Sequence, residues 1–335
     1  MPAAGAEAMA MPGRRSLLPP LAVLALLGLA ALLFSVTLGS ASLMPGDVWA
    51  VIRGEGSPLA RTLILELRIP RALAAFATGG LLAVAGALMQ VLLRNPLADP
   101  YVLGLSGGAS VGALAAMLAG LGGVVITGSA FAGAFASTLL VFGLAHGTGS
   151  WTPARLLLTG VVVAAGWGAV ITLMLAISPA ERLPGMLYWL MGDLSYARTP
   201  WAALGLLGVV CLALLPLGRS LNVLARGPLQ AAALGVNARP LEWTIYLAAS
   251  GLTAMAVTTA GSIGFVGLVV PHMLRLVLGN DQRLILPACA LAGGTLLVLA
   301  DTLARTMIAP EQLPVGVITA LLGVPTFLFL LYRSR

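Results

Sequence analysis

Four groups of residues in this chain have types and spacings that invite chemistry, and each also has a plainer structural reading. Gly104-Leu105-Ser106-Gly107 matches the GxSG arrangement of an intramembrane serine nucleophile, for which His272 or His146 would be the base. The structural alternative is a glycine-rich helix start. In it Ser106 and Ser110 cap or bond back to the chain, and Gly104, Gly107, Gly108 and Gly112 admit a close neighbouring helix. Asp301 is the one acid inside an apolar run, LLVLADTLAR. Arg305, four residues on, shares its helix face, so an ion pair near a helix end is expected. Cys211 and Cys289 sit in apolar runs without disulfide or metal spacing and read as small core hydrophobes. The fourth group is Arg219, Arg226 and Arg239 within GRSLNVLARGPLQAAALGVNARP, residues 218–240, a stretch with no acid. Gly227 and Pro228 can start a helix there, and Gly235 followed by Asn237 can stop it. That describes a short structured helix in a loop, placed to touch something else.

Other chemistries lack their residues. There is no phosphate-binding P-loop, no HExxH, no aspartate-rich metal motif and no run of intramembrane acids to relay protons. A chain without these has no visible energy source, so if it pumps, another subunit must supply the energy.

The elements that position these residues are set by composition. Mean hydropathy is +1.03, with 59% hydrophobic and 9% charged residues, which belongs to a polytopic membrane protein. We expect an all-α, single-domain chain over residues 1–335 with about ten spans, both termini on the cytoplasmic side, and a short cytoplasmic tail at 1–16. Arg14 and Arg15 precede an apolar run from Leu17 to Leu38 that is too long for a cleaved signal and reads as the first span. Later spans are expected at Leu67–Leu93, Tyr101–Ala119, a stretch ending near Ala145, Leu156–Ile177, Trp201–Leu217, Leu241–Ala260, Ile263–Leu278, Leu284–Leu303 and Val315–Tyr332. Gly39 to Glu66 reads as a polar connection. Met186–Met191 is too short to span and reads as a re-entrant helix. Of the 18 basic residues, all arginine, eleven fall on the proposed inner side and seven on the outer, which makes the 218–240 loop cytoplasmic.

LRIPRALAAFATGGLLAVAGALMQVLLRNPLADPYVLGLSGGAS, then RLLLTG, YWLMGDLS, GSIGFVGLVVPHMLRL and LPVGVITALLGVPTFLFLL, resemble in order and spacing the permease subunits of ABC importers for iron chelates (siderophores), haem and cobalamin. The resemblance extends from about Leu67 to the end. It implies a homodimer of ten-span subunits in the bacterial inner membrane, two cytoplasmic ATP-binding subunits and a periplasmic substrate-binding protein. Nucleic acid has no place in it. It also implies that the chain is not an enzyme and binds no cofactor or metal of its own, ATP and Mg being held by the partner ATPase.

Carried over by position, the resemblance makes Arg68, Arg71 and Arg305 the docking residues for glutamates of the binding protein. It makes Leu224, Ala225, Arg226, Gly227, Pro228, Leu229, Gln230, Leu234, Gly235 and Asn237 the contact with the ATPase, and Thr152, Pro153 and Ala154 the inner gate. The family's small hydroxyl residues at that gate are only partly kept here. Haem or a ferric siderophore is the expected cargo, with cobalamin the alternative. An intramembrane serine protease and a secondary transporter, which would work without ATP and show discontinuous helices with polar residues at mid-membrane, are the readings from other classes.

Overall fold

The computed structural model describes residues 17–39, 45–146, 152–195, 197 and 199–333. The tail at 1–16, with Arg14 and Arg15, lies outside them, as do most of the link before Arg155 and Arg198. Among the described residues the regular structure is helical throughout.

The bundle is built on two long helices. α4 (Ile69–Leu92) is buried along nearly its whole length, and α14 (Gln282–Thr306) packs along it. Both are rich in alanine and glycine, so their backbones can approach closely. Gly79 and Gly293 face each other so tightly that a Cβ on either would meet the other's carbonyl group. Around this pair pack α1 (Leu18–Thr37), α9 (Trp201–Leu214), α12 (Ala238–Ala260) and α13 (Val266–Leu278). α5 (Leu105–Leu118) and α6 (Gly123–His146) form a second close pair, with α7 (Pro153–Ala176) against them. α15 (Val315–Arg333) packs on α13 and α14. α1, α7 and most of α6 are largely exposed, which for helices this apolar means lipid or protein neighbours rather than water.

Among the described residues five helices are long and apolar enough to cross a membrane, or six if a bent pair counts as one span. Three expected spans are shorter than their apolar windows, the sixth because α9 ends at Leu214. The third is helical only from Leu105, after a 3-10 turn at Pro100–Leu103 and a left-handed Gly104. The eighth begins at Val266, because residues 261–265 form a break in which Gly261 and Phe265 both take positive φ. Hydropathy does not register such breaks, because the residues that make them are themselves apolar or small.

The connection expected to be polar between Gly39 and Glu66 is instead partly helical. α2 (Pro45–Ile52), α3 (Pro58–Arg61) and a π-helical turn (Thr62–Arg68) run into α4, so that helix extends unbroken from Pro58 to Leu92. Val51, Ala60 and Ile64 bury together against Val36, Val48 and Ile69, and this small cluster supplies the reason. The short apolar piece near Met186 is α8 (Leu183–Leu190), whose end at Gly192 rests against Ser262 and Ile263 in the α12–α13 break, as a re-entrant element would.

Candidate functional site

α4 and α14 run antiparallel, and each end of the pair opens into a cleft. A helix of this length separates the two by about 36 Å. One cleft lies at the start of α4 and the end of α14. It has a volume of about 420 Å³ and is lined by Arg68, Arg71, Arg305, Glu66, Ser195 and Gln312, among others. The three arginines expected to dock the binding protein therefore come together in space, though 237 positions separate the first from the last.

Their guanidiniums are not free forks on the surface. Arg68 donates through Nη1 to the carbonyls of Val36 (2.9 Å) and Thr37 (3.0 Å), at the C-terminal end of α1. Arg305 reaches the same helix end through Nη2, at Ser35 O (3.2 Å) and Ser35 Oγ (2.7 Å). A helix C-terminus presents unpaired carbonyls and negative partial charge, so both arginines complement it. Arg71 forms a fork with Asp301, Nε to Oδ1 at 3.0 Å and Nη2 to Oδ1 at 2.8 Å, and its Nη1 donates to Gln312 Oε1 at 2.7 Å. Arg305 Nε lies 3.0 Å from Asp301 Oδ2. The expected pairing of Asp301 with Arg305 is thus present, and Arg71 joins it from 230 residues away. No local pattern announces that third member.

The other cleft, about 530 Å³, is lined by Gln90, Arg94, Asn222, Arg226, Arg275 and Asp281 with their neighbours. Arg275 donates to the Gln90 side-chain oxygen and to Ala87 O. Beside it the 218–240 stretch forms two helices where one was expected. α9 bends by 73° into α10 (Gly218–Leu224), and α11 (Pro228–Ala233) follows. The boundaries of α11 are those the glycines and proline predict: Gly227 at φ 121° precedes Pro228, and Gly235 at φ 74° ends it. Leu229 and Leu234 stand 87% and 64% exposed on this element. Leu224 is buried and anchors it, while Arg226 is exposed.

Asn222 ties α10 to the start of α14. Its Nδ2 donates to Asp281 Oδ1 (2.9 Å), and its Oδ1 accepts from the Gln282 amide (2.7 Å). Asp281 also accepts from Arg283 Nη2 at 2.7 Å. Arg283 first, and Asn222 after it, hold the Asp281 carboxyl down to about 2 from its ordinary 3.8. A carboxylate with a depressed folded value stabilises fully above its unfolded value and loses that contribution as pH falls through the folded one. In detergent, thermal stability should therefore fall between about pH 4 and pH 2, and Asp281→Asn should flatten that part of the profile. An unchanged profile would remove the linkage.

Of the gate residues, Thr152 caps α7 by accepting from the Arg155 amide (3.3 Å), and Pro153 and Ala154 open the helix. Ser106 faces Ser262, Oγ to Oγ at 2.8 Å, rather than an imidazole, and Ser110 bonds back to Ser106 O. Gly108 and Gly112 pack against the backbone of Gly133 and Ser129, so the GLSG stretch is the close-packed helix start. The α12–α13 break has the discontinuity a secondary transporter would show, and its polar side chains are the Ser106 and Ser262 hydroxyls and the Tyr101 hydroxyl that accepts from the Ile263 amide, with no acid in the sequence from Ala260 to Val266.

A profile of the FecCD transport family matches residues 26–333. The chain belongs to that family. It is 42% identical to the vitamin B12 import system permease protein BtuC of Serratia proteamaculans, covering 90% of this chain and 93% of the relative. It is 41% identical to the ABC transporter permease protein YvrB of Bacillus subtilis, covering 84% and 82%. The fold superposes with a TM-score of 0.83, at 30% identity, on a metal-chelate type ABC transporter in an inward-facing conformation, covering 93% of this chain and 98% of that one. This FecCD-type chain is therefore an ABC importer permease with several membrane-length apolar helices.

Proposed function

We propose that this FecCD-type permease is the membrane half of an ATP-driven importer of a bulky metal chelate, working by alternating access as a homodimer in the bacterial inner membrane. The observation that carries the reading is the separation of two unlike surfaces on one rigid helix pair. An arginine cleft stands at one end of α4 and α14, and a short helix with exposed leucines stands at the other.

The arginine cleft is the place for carboxylates of an outer binding protein, because a guanidinium fork matches a carboxylate in shape and charge. Leu224 through Asn237, from the end of α10 across α11 to the start of α12, form the seat for a cytoplasmic ATPase, which binds the ATP and Mg that this chain has no motif to hold. Movement of that seat rocks the helices at the dimer axis, so that one end of the path closes as the other opens. Thr152, Pro153 and Ala154 stand at the start of α7 as the inner gate.

For cargo we place cobalamin first, because the name of the Serratia relative points there. Haem or a ferric siderophore stays second, supported by the metal-chelate description of the structural relative. The test is uptake into proteoliposomes holding this chain and its ATPase, offered cobalamin, haem and a ferric siderophore, each with a matching binding protein. ATP-dependent uptake of cobalamin alone is the expected result. Uptake of haem or a siderophore instead would reverse the order, and failure to assemble with any ATPase would end the reading.

A further inference from the structure

We infer that Asp301 is a positioning residue for docking: it is the internal counter-ion that presents Arg71 to an incoming carboxylate in the outer cleft. The inference rests on the proposed docking role of that cleft.

The geometry is specific. Asp301 is fully buried, on α14, and both its oxygens face guanidiniums. Its fork holds Arg71 by Nε and Nη2, while Gln312 Oε1 (2.7 Å) and Ser195 Oγ (3.4 Å) hold Nη1. Those contacts immobilise a long side chain whose free form would sample many rotamers, and they leave one Nη2 hydrogen without an acceptor among the described residues. The Arg71 side chain keeps 12% of its surface open to the cleft, whereas Asp301 keeps 1%. A partner carboxylate can therefore reach Arg71 but not Asp301.

Charge points the same way. Arg71 and Arg305 share one carboxylate between them, so the trio carries a surplus positive charge. Without Asp301 two guanidiniums would be buried side by side without compensation, which folded proteins avoid. With it, the surplus is one charge, held at a defined place beside an open cleft. Orientation set before binding reduces the ordering that docking would otherwise require.

The test is a double-mutant cycle on the assembly of this chain with its ATPase in nanodiscs. It measures the dissociation constant of the fluorescently labelled binding protein of the same transporter. Arg71→Gln should weaken docking, and Asp301→Asn should weaken it about tenfold, the order expected for a charged hydrogen-bond partner. In the Arg71→Gln background, Asp301→Asn should add less than about twofold, because the residue acts through Arg71. Asp301→Glu should recover part of the loss. Equal loss in both backgrounds, or no loss, would overturn the inference while leaving the docking reading intact. Unchanged docking in Arg71→Gln would instead overturn the docking reading. Should Asp301→Asn alone fail to assemble, the charge-balanced double variant is compared with Arg71→Gln. Equal docking supports the inference, and a further loss overturns it.

Discussion

Gly86→Val is expected to leave little folded protein, while Gly205→Ala leaves the folded fraction unchanged. Gly86 lies on α4 against α13, and a Cβ there would fall on the carbonyl group of Gly267. The obstacle is backbone, on a helix that also packs against α14, so no side chain can rotate aside. Overpacking a close-packed site typically costs about 1–3 kcal/mol, and a clash with backbone on both helices belongs at or above the upper end. Gly205, on α9, has nothing within 4 Å of where its Cβ would stand. Thermal size-exclusion profiles of the two variants in detergent make the comparison. Equal profiles would show that α4 and α13 do not approach as closely as described.

Replacing both Leu229 and Leu234 by glutamate should abolish co-purification of the ATPase without lowering the thermal stability of this chain. Both side chains are exposed, so their loss removes little packing within the subunit. In a docked complex they would be the apolar anchors of a six-residue helix, Pro228–Ala233, and its C-terminal turn. Truncating a buried interface anchor commonly costs about 2 kcal/mol or more, roughly thirtyfold in affinity for each residue. Burying two carboxylates adds a desolvation penalty to that loss. Retained assembly with the ATPase would move the coupling surface away from α11.

Much of this was legible in the residues because it is local. Gly227-Pro228 and Gly235 bound α11 by backbone preference alone, and the structure places the helix between them. Asp301 and Arg305 pair because four residues on a helix return to one face. The failures were local signals overruled by packing. Gly39 to Glu66 looked like a polar link, yet Val51, Ala60 and Ile64 find a common apolar neighbour and the chain coils into helix. The third and eighth spans looked continuous because hydropathy counts side chains, whereas the breaks at Gly104 and at 261–265 are made by backbone angles.

Composition alone makes this chain a set of helices in a membrane, and Gly227-Pro228 with Gly235 mark out a short surface helix within residues 218–240. These follow from composition and from preferences acting over a few residues. Long-range packing sets the rest: Arg68, Arg71 and Arg305 share one cleft, Arg71 is held by Asp301, and Asn222 is held by Asp281. Those contacts span tens to hundreds of residues. The cleft and the Arg71–Asp301 fork exist because glycines on α4 and α14 let two helices approach closely enough to set their ends side by side, and no local preference encodes such a distance.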